Sequence, residues 1–230
     1  MSKIAIISDI HGNLPALDAV LDDISSKNVN TIYCLGDLVG YYCFFDKVVQ
    51  KINELKIQTV LGNHDYAMIN NFGVIERSKT CTNILRWQLK NASSSTISFL
   101  KNLPTHLDIS HSKYSIKLVH AGLKDNLDEY LFDVSDSYFE NHHFNQDVLV
   151  SGHTHLPSYK KFYSGKIWLN PGSVGQPRDG NNKASYLIID EELNTEFVRV
   201  SYNYDIVIKA MEQCAFENYI SEVLKTGKKL

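Results

Sequence analysis

The sequence has few cysteines and no long apolar run. Its four cysteines are spread over 230 residues and none forms a C-x-x-C pair. That spacing excludes a disulfide framework and favours a reducing compartment. The first apolar run, Ile4 to Ile7, is too short for a signal peptide or a membrane span. We therefore expect a soluble, cytoplasmic protein with no membrane partner.

The sequence also lacks an excess of positive charge. Lys and Arg total 23 and Asp and Glu total 26, so the formal net charge is −3. This balance excludes a basic surface for nucleic acid spread over the whole domain, and leaves nucleic acid only as a nucleotide or a short-strand substrate. An anionic substrate is compatible with this charge, because a bound metal can supply the positive charge that an anion needs.

Strand and helix signals alternate in the first third of the chain. Short apolar runs at residues 3–8, 31–35 and 57–61 predict buried strands. Apolar residues recur at helical spacing between them, and Asn13 followed by Pro15 predicts the start of the first helix. This β-α-β-α-β order implies parallel strands joined by right-handed crossovers.

The pattern changes after residue 66. A helical insertion is expected over about residues 66–103, where it either acts as a lid over a site or provides plain helical packing. Further strands are expected at residues 115–119, 147–150, 166–169, 185–189 and 195–200, followed by a helix from Asp205 to about Lys225. Without repeats or Pro/Gly-rich linkers, we expect one domain over residues 1–230, with two mixed sheets packed together and helices outside.

Six polar clusters come directly after predicted strands, each with Asp, Asn or His beside a glycine. They are D-I-H-G-N at 9–13, G-D-L-V-G at 36–40, G-N-H-D at 62–65, H-A-G at 120–122, G-H-T-H at 152–155 and N-P-G-S at 170–173. Loops at the carboxyl ends of strands form the ligand crevice of open α/β sheets, so we expect these clusters to converge on one place.

The candidate ligands in these clusters are imidazoles, carboxylates and one amide oxygen. Such a set suits first-row divalent metals, namely Mn, Fe, Ni, Zn or Co. Seven ligands are too many for one ion and suit two ions that share a bridging carboxylate. Each motif alone arises often by chance, but all of them in order, each after a strand, indicate a metal site.

The series D-I-H, G-D-L-V-G, G-N-H-D, V-H-A-G and G-H-T-H resembles the calcineurin-like metallophosphoesterase superfamily. The stretch N-P-G-S-V-G-Q-P-R-D-G at 170–180, followed by A-S-Y, resembles the small bacterial phosphodiesterase branch of that superfamily. The resemblance extends from Lys3 to about Tyr204. It implies an α/β fold, specifically a four-layer α/β/β/α sandwich, with a binuclear metal centre on one edge.

The resemblance also implies roles for the matching residues. One metal would be held by Asp9, His11 and His155, the other by Asn63, His120 and His153, with Asp37 bridging the two. A hydroxide bridging the ions would be the nucleophile, and manganese is the ion we expect to serve in vitro. His64 would lie at the leaving oxygen as a general acid or charge stabiliser, and Asp65 would orient its imidazole.

Two residues outside these motifs are candidates for substrate binding. Tyr41 begins the stretch Y-Y-C-F-F-D, which replaces the prolines common in this branch. It either stacks on a base, packs under the loop or forms a dimer contact. Arg178 would either bind a phosphate oxygen or pair with an acid such as Asp179. The remaining histidines are expected on loops or the surface; they are His106, His111, His142 and His143.

The favoured function is that of a metal-dependent phosphodiesterase, which hydrolyses a small phosphodiester by direct attack of the metal-bridging hydroxide. Dinucleoside-tetraphosphate hydrolysis and monoester hydrolysis are alternatives that the sequence does not separate from it. A third alternative is a non-catalytic scaffold with the same fold. Such relatives characteristically lose the histidine of G-N-H, which is present here as His64.

Overall fold

The computed structural model describes residues 2–70, 79–214 and 218–228. The strands are β1 (Lys3–Ile7), β2 (Thr31–Cys34), β3 (Gln58–Thr59), β4 (His106–His111), β5 (Tyr114–Val119), β6 (Val148–Ser151), β7 (Ser158–Lys161), β8 (Ile167–Asn170), β9 (Ala184–Asp190) and β10 (Thr195–Val200). The helices are α1 (Leu14–Ser25), α2 (Phe45–Glu54), α3 (Asn63–Ile69), α4 (Lys79–Asn91), α5 (Ser94–Lys101), α6 (Asp136–Asn141), α7 (Tyr204–Gln213) and α8 (Asn218–Thr226).

The strands form two mixed sheets. The first sheet has the order β10-β9-β1-β2-β3, in which β1, β2 and β3 run parallel. The second has the order β4-β5-β6-β8-β7, in which β5, β6 and β8 run parallel. The loops that follow these parallel strands therefore leave each sheet at a single edge.

Alternating side chains of the strands build the core in layers. Ile4 and Ile6 on β1 point toward the second sheet, where they pack in one cluster with residues such as Leu118. Ala5 and Ile7 point the other way, into a cluster with the buried side chains of α1 and α2. The outer face of the second sheet is covered by α6 and its flanking loops through a cluster of aromatic and aliphatic side chains. These layers give the α/β/β/α sandwich that the resemblance implies.

The N-terminal helix and most of the buried strands lie where the sequence predicts them. Asn13 caps α1, since its side chain accepts a hydrogen bond from the Ala16 N–H. The edge strands β4 and β7 and the short helix α6 were not predicted. Every second residue of β4 and β7 is exposed, so neither strand gives a continuous apolar run.

Two predicted segments differ in detail. The helix predicted from Asp205 consists of α7 and α8, because Cys214 ends α7. The predicted insertion contains α4, α5 and most of α3, while its residues 71–78 lie outside the described residues. Among the described residues, no helix has the length and hydrophobicity that a membrane crossing requires.

Candidate metal centre

The structure brings the seven predicted metal ligands together at one edge of the sandwich. The first sheet supplies those that follow β1, β2 and β3, and the second supplies those that follow β5 and β6. All seven side chains are buried; they are Asp9, His11, Asp37, Asn63, His120, His153 and His155. The site therefore lies where the carboxyl ends of the parallel strands of both sheets meet.

Five of these seven residues have a left-handed backbone. Their φ angles lie between 53° and 64°, and the residues are Asp9, His11, Asp37, His153 and His155. This conformation costs about 1–3 kcal/mol for a residue other than glycine, and it persists only where the surroundings impose it. Backbone hydrogen bonds between the loops do so here, including one of 2.8 Å from the His11 N–H to the Asp37 carbonyl.

A first group of ligands consists of Asp9, His11 and His155. The His11 and His155 Nε2 atoms lie 3.1 Å apart, and Asp9 Oδ1 lies 3.2 Å from His155 Nε2. The two Nδ1 atoms face backbone carbonyls, that of Val39 at 3.0 Å and that of Gln176 at 2.5 Å. Because each Nδ1–H donates to its carbonyl, each Nε2 directs a lone pair into the centre.

A second group consists of Asp37, His120 and His153. His120 Nδ1 donates to the Leu35 carbonyl at 2.8 Å, and His120 Nε2 lies 2.9 Å from Asn63 Oδ1. Asp37 Oδ2 lies 3.5 Å from both His120 Nε2 and His11 Nε2. Asp37 thus lies between the two groups, in the position expected of a bridging carboxylate.

The chemistry of these donors fits a metal centre. Burial, followed by the neighbouring histidines, lowers the pKa of His153 to about 2 and the pKa of His11 well below its usual value, so these imidazoles are neutral. In the described part of the chain, Asp9 Oδ1 and His153 Nε2 are buried without a hydrogen-bond partner. Lone pairs that face each other at about 3 Å repel unless a cation lies between them, and neutral imidazole with carboxylate is the ligand set of first-row divalent metals.

His64 and Asp65 lie in the first turn of α3. The His64 N–H donates to Asp37 Oδ1 at 2.8 Å, and the His64 ring Nε2 lies 4.0 Å from Asp37 Oδ2. The expected contact between Asp65 and the His64 imidazole is replaced by a different one, since the Asp65 carboxylate accepts hydrogen bonds from four backbone N–H groups. Those groups belong to Asp37, Leu38, Val39 and Gly62, at 2.8–3.1 Å.

Tyr41 and Arg178 border the ligands. The Tyr41 ring centroid lies 4.6 Å from that of His11 and 4.9 Å from that of His64. Arg178 Nη2 donates to the Tyr41 hydroxyl at 3.2 Å and to Gln176 Oε1 at 2.9 Å. After burial, the Arg178 charge is the largest influence that lowers the pKa of His64. Asp179 pairs with Arg199, and Arg178 places its charge beside the centre.

Sequence reasoning missed one residue that supports the site from α4. The buried Gln88 side chain accepts a hydrogen bond from the Gly40 N–H at 2.9 Å and donates to the Gly40 and Tyr42 carbonyls at 3.0 and 2.8 Å. Its neighbour Leu85 is part of the apolar core. The described part of the insertion thus packs into the core and holds the loop that follows Asp37. Because Gln88 is a single glutamine within a helix, no residue spacing in the sequence identifies it as part of the site.

Three of the four histidines outside the motifs are exposed or half-buried, as expected; they are His106, His142 and His143. The prediction for His111 is wrong, because its side chain is buried. His111 is the last residue of the edge strand β4, whose alternation turns this position inward.

The chain is similar to known proteins over nearly its whole length. Residues 2–194 match the family model of the calcineurin-like phosphoesterase superfamily domain. The chain is 36% identical over 244 residues to the uncharacterized protein MJ0912 of Methanocaldococcus jannaschii, with 99% of each covered. It is 29% identical over 209 residues to the phosphodiesterase YfcE of Escherichia coli (strain K12), with 84% of this chain and 90% of that protein covered.

The similarity extends to solved structures. A metallophosphoesterase from Sphaerobacter thermophilus superposes with a TM-score of 0.83 at 28% sequence identity. The superposition covers 98% of this chain and 99% of the other. The two-sheet architecture of this chain is therefore that of a metallophosphoesterase fold.

Proposed function

The chain belongs to the calcineurin-like phosphoesterase superfamily, and on this premise we propose that it is a metal-dependent phosphodiesterase acting on a small phosphodiester. The observation that carries the proposal is the pair of buried ligand groups that meet at Asp37. Two adjacent metal sites with a shared carboxylate suit the displacement of an alcohol from a phosphate ester. The similarity to a protein named as a phosphodiesterase supports the diester over the monoester.

The metal ligands proposed are the same seven residues. Asp9, His11 and His155 would hold one ion, Asn63, His120 and His153 would hold the other, and Asp37 would hold both. When bound, the ions supply the positive charge that lowers the pKa of the attacking water and neutralises the phosphate oxygens. Manganese remains the ion that we expect to serve in vitro.

The side chains around the ligands would position the ester. His64 lies 4.0 Å from Asp37 Oδ2, where its imidazole can donate a proton to the departing oxygen or stabilise its charge. Asp65 would act on His64 through the backbone, because it fixes the loop and the helix turn that carry Asp37 and His64. Arg178 provides a guanidinium beside the centre, which suits it to bind a phosphate oxygen.

The experiment that tests this function measures hydrolysis of bis(p-nitrophenyl) phosphate and of p-nitrophenyl phosphate, each with Mn, Ni, Fe and Mg in turn. We expect metal-stimulated hydrolysis with a higher kcat/KM for the diester. Asp37→Ala and His64→Ala should each lower kcat/KM by about a hundredfold or more, because one removes the carboxylate proposed to bridge the two metals and the other removes the imidazole proposed to donate a proton to the departing oxygen or to stabilise its charge.

The matched control is His106→Ala, which removes an exposed imidazole outside the site and should leave kcat/KM unchanged. Full activity of Asp37→Ala or His64→Ala would contradict the roles proposed for these residues. A faster monoester reaction would replace the diester assignment. A purified protein whose metal site stays empty under saturating manganese, and which hydrolyses neither ester, would favour the scaffold alternative.

A further inference from the structure

The loop between β5 and α6 brings unassigned residues to the second group of ligands. Asp128 Oδ1 lies 3.5 Å from His153 Nε2. The Tyr130 ring centroid lies 4.1 Å from the His153 ring centroid, with 45° between the ring planes. This segment therefore forms one wall of the site, although no motif of the sequence marks it.

Two aromatic side chains of this loop are stacked on each other and exposed to solvent. The Tyr130 and Phe132 ring centroids lie 5.6 Å apart with 15° between the planes. Tyr130 is 39% exposed and Phe132 is 65% exposed. A large exposed apolar side chain is informative where it adjoins a functional site, because solvent contact costs free energy that a bound ligand can recover.

The loop is anchored by residues that lie between and around this exposed pair. Leu131 and Val134 are buried in the cluster that covers the outer face of the second sheet. Glu129 Oε2 accepts hydrogen bonds from the Lys124 N–H at 2.9 Å and from the Tyr138 hydroxyl at 2.9 Å. The aromatic rings are therefore held in place at the edge of the site, and a ligand would meet a preformed surface.

Tyr41 and Arg178 and the exposed aromatic pair lie beside different ligands of the centre. Tyr41 contacts His11 and His64, whereas Tyr130 contacts His153. The Arg178 charge thus lies near the first group of ligands, and the exposed aromatic pair lies near the second.

We propose that Tyr130 and Phe132 form a stacking platform for a nucleobase, so that the substrates of this centre are nucleotide esters. The inference rests on the proposed function, because the metal centre must hold the phosphate while the base stacks. Bases stack on aromatic side chains with little dependence on base identity. Tyr130 contacts the proposed ligand His153 and stacks on Phe132, so the pair adjoins the centre at which the phosphate of a nucleotide would bind.

Calorimetric titration of the manganese-loaded protein tests the platform without turnover. The ligands are the methylenephosphonate analogues of adenosine monophosphate and of ribose 5-phosphate, which share an unhydrolysable phosphonate and differ in the base. We expect the adenosine analogue to bind about tenfold more tightly, a value within the range for one stacked base. Phe132→Ala should remove most of this difference and leave the affinity for the ribose analogue unchanged.

Three further variants separate stacking from other effects. Phe132→Trp should retain the preference, whereas Phe132→Leu should lose it, because leucine offers apolar area without a ring face. Tyr163→Ala removes a fully exposed ring from the turn that precedes β8, at the sheet edge opposite the site, and should change neither affinity.

Base stacking on Tyr130 and Phe132 and hydrolysis of phosphate esters can be tested independently. Equal affinity of the wild-type protein for the two analogues would overturn the platform, even in an active phosphodiesterase. So would a Phe132→Ala variant that loses the same amount of affinity for the adenosine analogue as for the ribose analogue. A change in oligomeric state of Phe132→Ala without a change in the affinity ratio would assign the exposed rings to an interface between copies and also overturn it. A base preference in a protein that hydrolyses no ester would support the platform and refute the proposed function.

Discussion

At the scale of single residues, the centre depends on a glycine that leaves room for imidazole rings. Gly40 has φ +98°, and a Cβ added there would overlap His64 Nδ1 and lie 3.0 Å from His11 Nδ1. The N–H and carbonyl of Gly40 are both bonded to Gln88, so the backbone cannot move aside without breaking those hydrogen bonds. The two rings would have to shift if this residue had a side chain.

Gly40→Ala should therefore damage the site more than the fold. We expect kcat/KM to fall by about a hundredfold, because a displacement of about 1 Å in a catalytic group has an effect of that size. Manganese affinity should fall as well, since His11 is a predicted ligand. Hydrolysis assays and metal titrations of the variant measure both effects.

Gly165→Ala is the matched control for this prediction. Gly165 also has a positive φ, +84°, but a Cβ added there has nothing within 4 Å. Both variants should lose about 1 kcal/mol of stability from the left-handed backbone, and only Gly40→Ala should lose activity. Identical activity in the two variants would show that the space above His64 and His11 is unimportant.

At the scale of elements, Asp65 connects the loops that follow β2 and β3. Its position in the first turn of α3 lets one oxygen reach Leu38 and Val39 and the other reach Asp37 and Gly62. Sequence reasoning expects this aspartate to touch the catalytic imidazole directly. The structure shows a carboxylate that satisfies four backbone donors of two loops and so sets the distance between Asp37 and the start of α3.

Asp65→Asn should destabilise the fold and lower activity together. The amide has one accepting oxygen, and its NH2 group would face backbone N–H donors, so at least one buried donor loses its partner. We expect the free energy of unfolding to fall by about 3 kcal/mol, the upper range for a hydrogen bond to a charged group. Denaturant unfolding and kcat/KM measured on the same preparations test this.

Asp147→Asn makes the same chemical change away from the site. Asp147 accepts hydrogen bonds from the Ser115 N–H at 2.8 Å and the Ser115 hydroxyl at 2.7 Å, before β6 and at the opposite edge of the second sheet. Because Asp147 is exposed, its replacement should cost at most about 1 kcal/mol and leave kcat/KM unchanged. If Asp65→Asn lowered the free energy of unfolding and kcat/KM as little as Asp147→Asn does, the hydrogen bonds of Asp65 would not be what positions the site.

At the scale of the whole molecule, the candidate centre joins the two sheets. Asp9, His11, Asp37 and Asn63 follow strands of the first sheet, whereas the remaining histidine ligands follow strands of the second. The sheets share an apolar interface, but the ligand edge brings buried polar groups of both sheets against each other. A cation bound there would hold the two sheets together at this edge.

The residues that sequence reasoning found and those it missed differ in how they reach the centre. Each predicted ligand follows an apolar run and has a glycine nearby, so local spacing marks its position. Gln88 and Tyr130 come from segments between these motifs, and they contact the centre or its loops only through packing of α4 and of the loop before α6. Their residue types are common in ordinary cores and surfaces, so the sequence alone gives them no distinctive signal.

Metal binding should stabilise the whole fold, and the stabilisation should depend on ligands from both sheets. Free manganese at a hundredfold above its Kd adds about 2.7 kcal/mol through one site, which in a chain of this size corresponds to a rise in Tm of roughly 5–10 °C. Chelation should reverse the rise, and thermal scans with manganese and with a chelator measure it.

Variants from each sheet locate the origin of this stabilisation. Asp9→Ala in the first sheet and His153→Ala in the second should each lose a large part of the manganese-dependent rise. Asp37→Ala should lose most of it, because this carboxylate lies 3.5 Å from a histidine of each group. His106→Ala controls for nonspecific binding to exposed imidazoles and should retain the full rise. A rise that survives in His153→Ala and Asp37→Ala alike would place the bound metal outside the junction of the two sheets.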